Sequence, residues 1–192
     1  MTSGQESKIF YFDSKGQINT DKTLDIALEC CKERKMQKIV VASSTGETAL
    51  KLHKKAPTEI DIIAVTYSAG SRFPEEVEQF LKNQDELMAK GITIVRGMHA
   101  LSATEKAFQN KYKTGMMPLN IVADSLRMFC HGVKVCVEIA IMAAEAGHIT
   151  PDQEVVAIAG SHRGSDTAVV LKPAYAANMF ETKIRALLCM PS

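Results

Sequence analysis

The sequence carries almost no net charge: 23 Lys and Arg stand against 22 Asp and Glu, leaving +1 at neutral pH. Binding to a nucleic-acid backbone draws on an excess of positive charge, so nucleic acid is not an expected partner. Long apolar runs are missing as well. Charge or glycine interrupts each before the roughly 20 residues that a membrane-spanning helix requires, and "MTSGQESK" has no apolar signal segment, so a cytoplasmic protein without membrane association is expected. Cysteine forms no C-x-x-C pair; the five present (Cys30, Cys31, Cys130, Cys136, Cys189) are an odd number, which argues against a disulfide framework. His53, His99, His131, His148 and His162 are scattered singly rather than at the tight spacing of metal ligands, so no metal site is expected. Neither G-x-x-x-x-G-K-[ST] nor G-x-G-x-x-G occurs, which withdraws support from a nucleoside triphosphatase and from a dinucleotide fold.

What is present is a regular rhythm. A short apolar segment, "KIFYF", precedes a helix capped at Asn19, Thr20 or Asp21, with Leu24, Ala27, Leu28 and Cys31 on one face. "KIVVAS" (38–43) and "IDIIAVTY" (60–67) are continuous β-branched runs, the pattern of strands buried on both faces. Helices "GETALKLHKKA" and "PEEVEQFLKNQDELMAKG" follow them in turn, the second closed by Gly91, and "ITIVRGM" (92–98) is a third strand. After "SATEKAFQNKY" and the turn "KTGMMP", a long helix is expected from Leu119 to about Ala146, interrupted at Gly132. "EVVAIAGS" (154–161) and "TAVVLKP" (167–173) are separated by too few residues for a crossover helix, so they are expected as antiparallel neighbours, with "KIRALLCM" as an edge strand. The sum is an α/β fold of one domain over 1–192, with a mostly parallel sheet covered on both sides and no internal repeat.

Chemistry concentrates at the strand ends. In "VVASSTGETALKL", Ser43, Ser44, Thr45, Gly46 and Thr48 bring hydroxyls and a permissive glycine to a helix N-terminus, a seat suited to phosphate. A capped helix with nothing bound reads the same residues equally well. "AIAGSHRGSDTAVVL" is a second such loop, with Gly160, Ser161, Gly164 and Thr167 around Arg163, whose fork can pair with phosphate; an ordinary hairpin turn is the plainer reading of it alone.

These two segments resemble the loops of the pyruvate kinase C-terminal domain that hold its sugar-bisphosphate effector, in matching order. The whole chain, from "IFYFDSKGQINTDKTLDIA" through "HGVKVCVEIAIMAAEAG" to "RALLCMP", resembles a family of small stand-alone proteins with the pyruvate kinase C-terminal-like fold. The resemblance implies a three-layer α/β/α sandwich whose mostly parallel sheet includes an antiparallel strand. It implies no kinase activity, because the catalytic barrel has no counterpart here. It also implies a phosphorylated small-molecule ligand, flavin mononucleotide (FMN), with the phosphate at Ser43, Ser44, Thr45, Gly46 and Thr48. Its ring would lie among Thr66, Tyr67 and Gly70 on one side and Gly160, Ser161, Arg163, Gly164 and Thr167 on the other. Glu47 stands where pyruvate kinase commonly has a basic residue, which argues against a bisphosphate.

Arg127, His131, Lys134, Glu138, Met142 and Glu145 step by three or four along the expected long helix. Such a stripe commonly faces water, but Glu138 lies in an apolar context, where a carboxylate near a cleft could bind a hydroxyl or serve as a base. Three functions stay open: a binding domain; a flavin-dependent oxidoreductase using His99, Glu138 or Cys136; and a regulatory or assembly protein, for which a homo-oligomer would be expected.

Overall fold

The computed structural model describes residues 7–102, 104–161 and 163–192. The extreme N-terminus, read above for a signal segment, and His162 lie outside the described residues. Strand β1 (Phe10–Phe12) leads through a 3-10 turn (Gln17–Asn19) into α1 (Thr20–Arg34). Leu24, Ala27 and Cys31 form the buried face of α1, and Lys35 ends it in the left-handed conformation. Then follow β2 (Lys38–Ala42), α2 (Glu47–Lys55), β3 (Asp61–Thr66), α3 (Pro74–Ala89) and β4 (Thr93–Arg96). Pro74 opens α3 at a position where the missing N–H costs nothing. Next come α4 (Glu105–Tyr112), α5 (Pro118–Arg127), α6 (His131–Glu145), β5 (Val155–Ala159), β6 (Thr167–Lys172) and β7 (Lys183–Pro191).

The strands form one sheet of seven in the order β1-β7-β6-β5-β2-β3-β4. β2, β3, β4 and β5 are parallel, β1 runs parallel to β7, and β6 is antiparallel to both its neighbours. Alternation along the strands splits the core between two faces. Ile39, Val41, Ala64 and Ile158 meet Leu24 of α1, Leu52 of α2 and Phe80 and Leu87 of α3, whereas Val40, Ile63, Val65 and Ala157 meet α6. This is the expected three-layer sandwich. No helix among the described residues is long and apolar enough to cross a membrane.

Three expectations are corrected. The helix expected from 119 to 146 is two helices, and the break falls at 128–130 rather than at Gly132. Cys130 is fully extended (φ −170°) and its Sγ accepts the Val133 amide, starting a new helix with Gly132 in its first turn. "KIRALLCM" is not an edge strand, because β1 pairs with the far end of β7 in the register Phe10↔Cys189, and the Ser192 amide donates to the Phe12 carbonyl at 3.0 Å. The polar stripe does not share one environment: Lys134, Glu138 and Met142 are buried, while Arg127, His131 and Glu145 are exposed. The segment "SATEKAFQNKY", for which no element was expected, contains α4.

Candidate functional site

The chain runs from β2 outward to β3 and β4, then returns to place β5 on the other side of β2. Strand order therefore reverses between β2 and β5, and open α/β sheets bind ligands in the crevice beyond the carboxyl ends at such a point. The register Val41↔Ile158 brings the residues after β2 and those after β5 to that position together. The two loops singled out from sequence are thus neighbours.

The first loop is held through its backbone. The Ser43 amide donates to Val65 O, Thr66 Oγ1 donates to Ser44 O, and Asn83 Nδ2 of α3 donates to Thr45 O at 2.7 Å. Gly46 has φ 89°, which strains any other residue, and a Cβ there would crowd Asn83 and Leu87 of α3 at 3.1 Å. An α-helix leaves its first amides without intrahelical partners. Ser43 Oγ, buried, accepts that of Ala49, so this hydroxyl serves the cap. Glu47 and Thr48 stand in the first turn of α2, and Ser44, in the loop before it, is half-buried. Thr45 and Thr48 are each 8 % exposed.

The second loop is clamped to the entrance of α1. Asp166, fully buried, accepts from the amides of Gly16 (2.8 Å) and Ser161 (3.3 Å) and from Thr167 Oγ1. The Ser165 amide donates to Thr20 Oγ1 at 3.0 Å. Gly164 lies so close that a Cβ would sit 2.3 Å from Thr20 Oγ1, and a Cβ on Gly160 would sit 2.6 Å from Gly164 O. Thr167 is buried under Gly132 of α6, where an added Cβ would lie 2.0 Å from Thr167 Oγ1. Gly160, Gly164 and Thr167 therefore shape the loop, while Arg163, exposed, and Ser161, half-buried, present themselves outward. Asp166 and Asn83 carry no sequence signal, and Thr20, expected only as a possible helix cap, and Gly132, expected only as a helix break, take up these contacts because their partners are remote in the chain.

Beyond β3 and β4 lies a third group. The Tyr67 ring stacks on Phe73 with centroids 5.3 Å apart and tilts against His99 at 5.9 Å. Burial, followed by the nearby Glu76 carboxylate, pushes the Tyr67 hydroxyl up. His99 Nδ1 lies 3.3 Å from Glu138 Oε2, which also accepts from Lys134 Nζ at 2.6 Å; Oε1 accepts the Leu101 amide at 3.1 Å. Burial alone would raise the Glu138 carboxyl, but the His99 hydrogen bond and the Lys134 charge outweigh it and bring it down to about 2. Glu138 is thus an ionised, fully engaged acceptor. Gly70, in the exposed turn after Tyr67, has open space where a side chain would stand. Cys136 donates to Ala157 O from a fully buried position that pushes its thiol well up, an environment hostile to thiolate chemistry. Among the described residues no three His, Cys, Asp or Glu side chains gather as metal ligands.

A family model described as "Pyruvate kinase, alpha/beta domain" matches residues 21–171. The chain belongs to that family. This pyruvate kinase alpha/beta domain is similar to a pyruvate kinase from Cryptosporidium parvum at 17 % identity and a TM-score of 0.42, covering 81 % of this chain and 23 % of that one. It is also similar to an NH3-dependent NAD synthetase from Campylobacter jejuni at 16 % identity and a TM-score of 0.40, covering 74 % of this chain and 55 % of the synthetase. The domain thus spans about a quarter of the pyruvate kinase and about half of the synthetase.

Proposed function

We propose that this pyruvate kinase alpha/beta domain binds a phosphorylated small molecule, FMN being the ligand the sequence resemblance implies, and has no pyruvate kinase activity of its own. The observation that carries the reading is the adjacency of the two loops at the β2–β5 reversal. The Glu47 and Thr48 amides, Ser44 and the Arg163 guanidinium offer donors of the kind a phosphate dianion takes. Ser43, Gly46, Gly160, Gly164 and Thr167 give the loops their shape. Tyr67 supplies an aromatic face for a planar ring, next to Thr66 at the end of β3. These residues fit the two ends of FMN, which when bound would supply redox chemistry that the protein side chains lack.

Thermal denaturation with FMN, riboflavin and inorganic phosphate tests the reading. At 100 times its dissociation constant a ligand adds about 2.7 kcal/mol. FMN is expected to stabilise the protein more than riboflavin, and Arg163→Ala is expected to erase most of that difference. No shift with any phosphorylated compound sinks the proposal; equal losses for FMN and riboflavin in the variant remove Arg163 from it.

A second reading, assembly into a homo-oligomer, draws on exposed apolar side chains: Met116 (70 %), Met128 (85 %), Phe129 (55 %) and Phe180 (79 %). Light scattering decides it, a strict monomer at all concentrations removing it.

A further inference from the structure

The group around Glu138 does more than fill space beyond β4. A carboxylate only accepts hydrogen bonds, and Glu138 has both oxygens engaged: Oε1 by the Leu101 amide, Oε2 by Lys134 and His99. With its side chain 4 % exposed it is closed to a substrate proton, and Lys134, with its side chain 9 % exposed and its ammonium 2.6 Å from Oε2, is held against it. His99 is different. Its side chain is 34 % exposed, and only Nδ1 points at the carboxylate. Facing an acceptor, Nδ1 carries a proton, and a ring with one proton then offers its opposite corner, Nε2, as a lone-pair acceptor. Free imidazoles have no such fixed assignment. Here a buried ion pair one helical turn in length imposes it.

We propose that Lys134 and Glu138 hold His99 as the Nδ1–H tautomer and so present Nε2, beside the Tyr67–Phe73 stack, as the acceptor for an N–H or O–H donor on the planar ring of the bound ligand. This rests on the ligand reading above and adds an orientation to it. Donors for an anion lie at the start of α2, while the site at His99 offers an acceptor and an aromatic wall. The phosphate end and the ring end of one ligand thus find opposite chemistry along the carboxyl edge. Contacts join the two regions: Thr66 donates to Ser44 O, Tyr67 follows Thr66, and the Tyr67 ring meets His99. The ring class selected is a heteroaromatic carrying an N–H, such as the imide edge of a flavin. Glu138 and Lys134 act as positioning residues.

Nitrogen NMR of protein labelled with 15N-histidine, without ligand, reads the tautomer directly, His99→Gln assigning the resonance. The Nδ1–H pattern is expected, and an Nε2–H imidazole overturns the proposal whatever binds. The double variant Lys134→Met, Glu138→Leu replaces the ion pair by apolar side chains and leaves no orphan charge, an exchange that buried pairs often tolerate. In it His99 is expected to lose the Nδ1–H preference. FMN and riboflavin are expected to bind at least tenfold more weakly, with inorganic phosphate binding unchanged within twofold. Unaltered flavin affinity in both this variant and His99→Gln overturns the acceptor role. Wild-type protein that takes up neither flavin overturns the ligand assignment here together with the FMN reading; an Nδ1–H signature in that protein still upholds the positioning by Glu138.

Discussion

Replacing Glu138 by glutamine removes one charge at the centre of the Lys134–Glu138–His99 group and keeps its shape. A carboxyl that is ordinarily near 4.5 and is brought to about 2 in the folded protein contributes, at 1.36 kcal/mol for each tenfold, about 3 kcal/mol to stability at neutral pH. Removing one partner of a buried pair costs about 3–5 kcal/mol by a separate route, since it leaves Lys134 buried against an uncharged amide. The two figures agree. Because the folded value lies below the unfolded one, this stabilisation is complete above about pH 4.5 and is lost as pH falls toward about 2. Glutamine resembles the protonated acid, so the wild-type protein and Glu138→Gln are expected to differ by about 3 kcal/mol at neutral pH and to converge through that window. The chain has no tryptophan, so urea unfolding followed by far-UV circular dichroism at a series of pH values is the assay. A difference that stays constant as pH falls would show that the ionised carboxylate is not what stabilises this part of the fold.

Gly132→Ala drives a Cβ into Thr167, and overpacking of this kind costs about 1–3 kcal/mol, seen as a melting point lower by several degrees. Gly97→Ala, in open space, is expected to leave the melting point within about a degree of wild type, and equal effects at both sites would refute the close approach of α6 to β6. In thiol titration with a coloured disulfide, half-buried Cys130 is expected to react first. Cys30, Cys31, Cys136 and Cys189 are buried, burial pushing Cys31 up to about 12 and Cys189 up to about 11, so the remaining equivalents should appear only on unfolding. Several rapid equivalents in the folded protein would count against this core.

Strands β2, β3, β5 and β6 were legible because burial on both faces demands continuous apolar runs, a pattern few other elements share. The short "HRGSD" link was enough to make β5 and β6 antiparallel. The helix break was not legible: Met128, Phe129 and Cys130 include no glycine or proline, and the turn rests on the extended backbone of Cys130, whose Sγ caps the new helix at the Val133 amide. Gly132, read as a breaker, is instead the small residue that lets α6 approach Thr167. β7 reads as an edge strand because nothing local shows that the short segment "KIFYF", from the other end of the chain, supplies β1 to pair with its last three positions. At the site, the hydroxyls and glycines of both loops stood out, but composition could not say which would be spent inside the protein. Ser43 and Thr167 turn inward because a helix amide and Asp166 await them there. The four-residue spacing of Lys134 and Glu138 was visible, whereas their burial depends on His99 and Leu101 arriving from another part of the chain.

The pairing of β1 with β7 also decides how the molecule meets a mechanical load. The two strands run the same way, so the chain enters β1 from one end of the pair and leaves β7 at the other. A tether pulling on both termini slides the strands lengthwise past each other and stretches all the rungs between them at once, instead of peeling them apart one by one. The outermost and shortest strand is therefore the first to bear the strain, and it bears it in the direction in which a ladder holds best.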